Sequence, residues 1–382
     1  MLARTTALVA ATALLTLSLS KGEVRAADTP TPEVQKYLAD EKLDPAIMKG
    51  LDAELAVPAS LVAAAKKEGT LKIRLQMSDQ EFAGMEKAFR ARYPGIEIEY
   101  TRGIGRERAI APLVAYKAGK YVTDVVSAYD SAIEDYRAAD ALTKIDDLPS
   151  YKNLWPEMQT KERTDGADKL NYWCIGYSKD RVKESELPKT WDDVVTNPRW
   201  KGKIGVYNVA ESWVPPLTAV FGEKWTADWL HKLAIDQKAQ YRKETLAATS
   251  KLLSVGEFDI FTAVMDYIID RDARKGVPVG AKCLDPVPAT AGYVGIFKGS
   301  PHTNAAKLFM NWYLSKEGQV AAYHHARAIP VHRDFKIAAF LPYPDQIIGH
   351  KISYRTTEVL ATAPHVAEMF RKTFEEAGAK TD

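Results

Sequence analysis

Cysteine is nearly absent. The 382 residues hold two, Cys174 and Cys283, and neither sits in a recognisable catalytic setting. No G-x-S-x-G elbow, zinc signature or P-loop occurs, so the usual sequence marks of hydrolytic, metal-dependent and nucleotide-driven chemistry are missing. The seven histidines form no H-x-H or H-E-x-x-H pair, and His324 and His325 are neighbours whose side chains would point apart. Long apolar runs are missing too: past the N-terminal segment nothing approaches ~20 apolar residues, the length of a membrane span. Nor is there a surplus of charge. Residues 1–26 carry three of the 52 basic and one of the 50 acidic residues, so the remainder balances at 49 of each. A neutral chain gives no argument for nucleic acid or an anionic membrane as partner, since both require clustered Lys and Arg.

What is present begins with an export signal. Arg4 supplies a positive start, Ala7 to Leu19 an apolar stretch, and Val24-Arg25-Ala26 a small-residue cleavage pattern, so residues 1–26 are expected to be removed. No cysteine lies near that point to accept a lipid anchor. The expectation is a freely diffusing periplasmic protein. The roughly 356 residues that remain exceed what one core usually serves, which predicts two lobes.

After an extension with Pro30, Pro32 and a short helical stretch at Glu33 to Leu38, which reads as loosely attached, a helix from Leu61 ends at Gly69. Leu71, Ile73 and Leu75 then alternate with polar residues as in a strand. Phe82, Met85 and Phe89 fall on one helical face, and Ile96, Ile98 and Tyr100 form a second strand. This βαβ unit predicts an α/β fold with mainly parallel sheets. Ligands of such sheets bind beyond the carboxyl ends of strands, which singles out Ser78 and Asp79. Thr101-Arg102-Gly103-Ile104-Gly105 follows the second strand, where Arg102 and helix-terminal amides suit an anion, although an ordinary tight turn is the first account of the glycines.

The stretch around which the chain is organised runs from Asn171 to Ile204. An apolar strand, Tyr172 to Ser178, leads to Pro188-Lys189-Thr190-Trp191-Asp192-Asp193 and then to Pro198-Arg199-Trp200-Lys201-Gly202-Lys203-Ile204. Thr190 suits the N-cap of a short helix, and Asn197 before Pro198 ends it. Three such elements in order resemble the domain crossing of bacterial extracellular solute-binding proteins, the capture subunits of ABC importers, in the family that includes ferric-ion binders. The resemblance extends over about 60–376 through Val122-Thr123-Asp124-Val125-Val126, Gly256-Glu257 and the segment Tyr293 to Gln319.

The resemblance implies a two-lobed periplasmic-binding-protein fold of type II. Residues 27–68 would form the extension and first helix, 69–173 and 286–325 the first lobe, and 178–282 and 326–382 the second with the C-terminal helices. Residues 174–177 and 283–285 would be the hinge. Antiparallel hinge strands would set Cys174 beside Cys283, so a disulfide and two separately buried thiols both remain open. The implied function is capture of a solute between the lobes and delivery to a membrane permease, by a monomer without cofactor. Loops that line the cleft in the family put Tyr129, Asp130 and Ser131 (the last two also serving as caps), Glu211 and Ser212, Arg242, and Asp266 and Tyr267 among the ligand contacts, with Trp213 as contact or core. Arginine forks at positions 102 and 242 favour a small organic anion over a neutral sugar, although eight tryptophans would suit sugars.

Ferric members of the family use two adjacent tyrosines. Met265-Asp266-Tyr267 offers one tyrosine and one aspartate, so ferric ion or a ferric complex is the alternative cargo. The rival from another class is a secreted hydrolase built on a carboxylate pair, and a third reading has residues 27–57 presented to a partner.

Overall fold

The computed structural model describes residues 29–103 and 106–381; the expected signal at 1–26 lies outside them. Ten strands form the sheet framework: β1 (Thr70–Leu75), β2 (Glu97–Arg102), β3 (Val125–Tyr129), β4 (Asp165–Ser178), β5 (Ile204–Tyr207), β6 (Gln240–Arg242), β7 (Ile260–Met265), β8 (Val279–Lys282), β9 (Val287–Ile296) and β10 (Ile352–Tyr354). Their order is β2-β1-β3-β9-β4-β7-β5-β6, with β10 beside β9 and β8 beside β4.

The fourteen-residue β4 joins two lobes because its two halves have different partners. Asp165 to Tyr172 pairs antiparallel with β9, whereas Trp173 to Tyr177 pairs with β7 and Ile175 to Ser178 with β8. The handover falls between Tyr172 and Trp173. All fourteen residues are buried, which is why this strand reads as a continuous run instead of an alternating one. The β4–β8 register pairs Ile175 with Lys282, so its next step sets Cys174 against Cys283, and the two are disulfide-bonded.

The local signals in the sequence act as their chemistry requires. Ser78 begins the helix Asp79–Arg92 with a reciprocal cap: its hydroxyl accepts the Glu81 N–H at 3.3 Å, and its own N–H donates to Glu81 Oε2 at 2.7 Å. Thr190 does the same with Asp193 for the helix Trp191–Thr196, which stops at Asn197. Trp191 is buried, donates to the Pro286 carbonyl at 2.9 Å and meets the rings of Trp213 and Trp229. The C-terminal helix Thr357–Glu376 covers this cluster with Phe370.

The extension is not loosely attached. Val34, Leu38, Met48, Leu51 and Leu55 are buried, because the helix Pro32–Asp40 carries Val34, Tyr37 and Leu38 on one face at helical spacing. Three carboxylates then fasten it to the first lobe. Glu317, fully buried, accepts the Thr31 N–H at 2.6 Å, Arg92 Nε at 2.5 Å and Trp312 Nε1 at 3.0 Å. Glu54 accepts the Lys316 N–H at 2.9 Å and lies 3.0 Å from His332 Nε2. Glu41 meets His324 Nδ1 at 2.9 Å and Arg327 at 2.6 Å; burial opposes its charge, but these hydrogen bonds prevail and hold its pKa at about 2.

Candidate functional site

Strand direction defines the cleft. β1, β2 and β3 are mutually parallel, and β3 and β4 both run antiparallel to β9. The first lobe's carboxyl ends therefore point the way β4 travels, towards the second lobe. There β5, β6 and β7 are parallel to one another, and β7 runs against β4, so their carboxyl ends point back. The loops after Leu75, Arg102 and Tyr129 thus face those after Tyr207, Arg242 and Met265, with β4 and β9 as the floor. Ligands of α/β sheets sit at such ends.

The expected residues divide. Arg102 is exposed at the end of β2 and Asp79 is exposed on the first turn of its helix. Tyr129 ends β3, with Lys169 Nζ 5.6 Å from its ring centroid. Asp130 and Ser131 start the helix Asp130–Ala138, but their side chains lie outside the described residues. Glu211 and Ser212 are half-buried in the turn Ala210–Ser212. Tyr267 is half-buried; burial raises its phenol pKa, Tyr129 raises it further, and Lys169 and Arg271 oppose. Tyr129 and Lys169 therefore act on Tyr267 across the lobes, and Arg271 from the same helix. Trp213 is core, fully buried.

Three expectations need correction. The Ser78 hydroxyl is occupied by its cap. Arg242 does not point a free fork into the cleft: Glu244 Oε2 at 3.1 Å, Glu257 Oε1 at 2.9 Å and Gln240 Oε1 at 3.0 Å take its donors. A strand-end arginine with acidic neighbours in its own lobe satisfies itself before any ligand arrives. The tryptophans are not sugar platforms as a set, since Trp173, Trp191, Trp200, Trp213 and Trp312 are fully buried.

Asp266 is also less available than its position suggests. It is fully buried, its Oδ1 accepts the Tyr172 N–H at 3.4 Å, and Oδ2 has no hydrogen bond. Burial lifts its pKa to about 7 from 3.8. The folded state therefore holds a proton that the unfolded state releases above about pH 4, so stability falls as pH rises towards 7. Asp266→Asn removes that slope: chemical denaturation at pH 5 and pH 8 is expected to show the variant gaining on the wild type at the higher pH.

Sequence reading missed the floor. In β4, Ala167 opposes Tyr293 and Lys169 opposes Gly292, so Asp168 is the extra residue of a β-bulge. A bulge re-aims side chains, and here both charged groups lean over Gly292, where a Cβ would lie 2.5 Å from Asp168 Oδ1 and 3.0 Å from Lys169 Cε. Asp168 Oδ2 accepts from Tyr313 at 2.9 Å and Ser127 at 3.4 Å. Lys169 is 6 % exposed, and its contact with Asp168 is an ion pair at 3.9 Å. Asn171, two residues on along the same face, is buried with its Nδ2 unpaired, as is Asp168 Oδ1. The available signal was an adjacent acid and base inside a buried strand, which breaks its pattern.

One group with metal-ligand spacing occurs among the described residues, Glu54, His332 and Asp334. It lies under the extension, and Lys316 Nζ already sits 3.3 Å from Glu54 and 2.9 Å from Asp334. An ammonium ion does the neutralising that a metal would. No helix among the described residues is long and apolar enough to cross a membrane.

Comparison with known proteins gives the same fold. The family described as bacterial extracellular solute-binding protein matches residues 84–336. A Haemophilus influenzae protein carrying only the description "Uncharacterized protein" is 31% identical over 155 residues, which is 38% of this chain and 43% of that protein, so the match spans less than half of that relative. Among solved structures, iron-bound HitA of Pseudomonas aeruginosa superposes with a TM-score of 0.64 at 19% identity, over 80% of this chain and 99% of that one. AfuA of Actinobacillus pleuropneumoniae with fructose-6-phosphate gives 0.62 at 19%, over 82% and 99%. The substrate-binding protein of an ABC transporter from Agrobacterium tumefaciens gives 0.65 at 16%, over 81% and 96%.

Proposed function

Since the chain belongs to the bacterial extracellular solute-binding protein family, we propose that it is the periplasmic capture subunit of an ABC importer, exported by residues 1–26 and working as a monomer. It holds a small organic anion between its lobes and hands it to the membrane permease. The observation that carries this reading is the pair of opposed strand-end sets with the buried Lys169 ammonium on the floor between them. Arg102, Asp79 and Tyr129, with Asp130 and Ser131, form the first wall; Glu211, Ser212 and Tyr267 form the second. The lobes are 69–173 with 286–325 and 178–282 with 326–382, hinged at 174–177 and 283–285, except that the start of the last segment, Arg327 to His332, packs with the extension on the first lobe. No covalent step is needed, and the protein is not an enzyme. Ligand shifts the open and closed forms only through contacts that differ between them.

A ferric cargo is the second reading, favoured by Tyr129 and Tyr267 acting on one another from opposite lobes. Against it, Asp266 accepts a backbone amide, and Lys169 repels a cation. Thermal unfolding against ferric citrate, organic acids, sugar phosphates, amino acids and neutral sugars separates the two. A ligand of the folded state adds about 2.7 kcal/mol at a hundredfold excess over its dissociation constant. Stabilisation by organic anions supports the first reading; stabilisation by ferric ion alone supports the second.

A further inference from the structure

Resting on the solute-capture reading, we infer that the bulged segment Asp168-Lys169-Leu170-Asn171 reads the cargo, and that it selects a hydroxylated oxyanion. Lys169 Nζ and Asn171 Nδ2 hold the anionic oxygens, and Asp168 Oδ1 accepts from a hydroxyl beside them.

Two polar atoms within four residues of one strand, Asp168 Oδ1 and Asn171 Nδ2, are buried without a hydrogen bond, and the Lys169 ammonium between them has only an ion pair at 3.9 Å. Asp168 is 3 % exposed with Oδ1 unpaired, Lys169 is 6 % exposed, and Asn171 is 1 % exposed with Nδ2 unpaired. Each such group costs on the order of 1–3 kcal/mol to leave unmade. Structure alone does not account for the arrangement, because the bulge brings Asp168 to the side of Lys169 and the missing Cβ of Gly292 makes room for both. Asp168 Oδ2 is held by Tyr313 and Ser127, which orients the carboxylate and leaves Oδ1 over.

The inventory is two donors, one of them charged, and one acceptor. A neutral sugar leaves the ammonium without a charge to answer it. A bare cation offers no acceptor atom to either donor. An anion without a hydroxyl leaves Asp168 Oδ1 unpaired and facing like charge. A phosphate or carboxylate on a polyhydroxylated carbon chain meets all three. Tyr129, whose ring lies against Lys169, covers the same spot from the first lobe.

Calorimetric titration of the whole protein with glucose 6-phosphate, gluconate, glucose and inorganic phosphate tests the assignment. The wild type is expected to bind glucose 6-phosphate or gluconate, whichever head group fits, and to bind glucose and inorganic phosphate at least roughly tenfold more weakly. Lys169→Met is expected to weaken the bound oxyanion by roughly 10- to 100-fold, the range of a lost charge-assisted hydrogen bond, and Lys169→Arg to recover most of it. Asp168→Asn is expected to erase the advantage of the hydroxylated anions over inorganic phosphate. Because Lys169→Met leaves Asp168 without its counter-ion, Asn171→Ser, which shortens one donor and leaves the ion pair, is titrated beside it after both show a wild-type melting transition.

Unchanged affinity in both variants overturns the assignment, as does preference for glucose. If ferric citrate or a neutral sugar stabilises the protein and neither hydroxylated anion binds, the assignment fails while solute capture stands. If no solute of the thermal panel has any effect, capture itself fails.

Discussion

Replacing Glu317 with alanine is expected to cost about 3–5 kcal/mol, the usual penalty for breaking a buried ion pair from one side. The carboxylate is fully buried and collects Arg92 Nε at 2.5 Å and Nη2 at 3.0 Å, the Thr31 N–H at 2.6 Å and Trp312 Nε1 at 3.0 Å. Its loss strands a guanidinium whose side chain is 11 % exposed, together with two neutral donors. The effect is not confined to one contact, because Thr31 leads into the helix that delivers Val34, Tyr37 and Leu38 to the first lobe. Denaturant midpoints should drop, and limited proteolysis should cut within 29–57 before anywhere else. Glu317→Gln keeps an acceptor and should lose less. A change under about 1 kcal/mol in the alanine variant would show that the extension holds by apolar burial alone.

The second large effect is expected from the Cys174–Cys283 disulfide. The cysteines are 109 residues apart in sequence, so the bridge removes a long loop's freedom from the unfolded chain, typically worth about 2–4 kcal/mol. It also sits where β4 has just left β9 and where the chain between β8 and β9 returns, so it ties the outgoing strand to the incoming one. The double Cys174→Ser, Cys283→Ser variant is the appropriate probe, because both sulfurs are buried from reductant. Equal midpoints for variant and wild type would mean that the β4–β8 ladder already fixes this junction.

Which parts of the molecule were legible in the sequence follows from the range of the interactions. The cap at Thr190 acts within three residues, and it formed; the cap at Ser78 has the same range, but its residue was read as a ligand contact. The stretch Tyr172 to Ile204 carries family spacing, and it led correctly to a two-lobed α/β fold. The extension was misjudged because its two prolines draw attention from Val34, Tyr37 and Leu38, whose spacing was there to read. The partners that fasten it, Glu317, Lys316 and His324, are over 200 residues away and were not. Arg242 was misplaced for the opposite reason: Glu244 stood two residues on, but Glu257 joins it only once β6 and the segment ahead of β7 pack together. Asp168 and Lys169 escaped because a bulge is a matter of register between two strands, and register is not written in either strand alone.

Closure of the lobes on an organic anion is the central claim. Small-angle X-ray scattering of the ligand-stripped protein, with and without the solute that raises its melting temperature most, tests it directly. The account predicts a smaller radius of gyration with an organic anion and no such compaction in Lys169→Met at the same concentration. A stabilising solute that leaves the radius unchanged, or compacts the variant equally, would contradict capture between the lobes on the floor of β4.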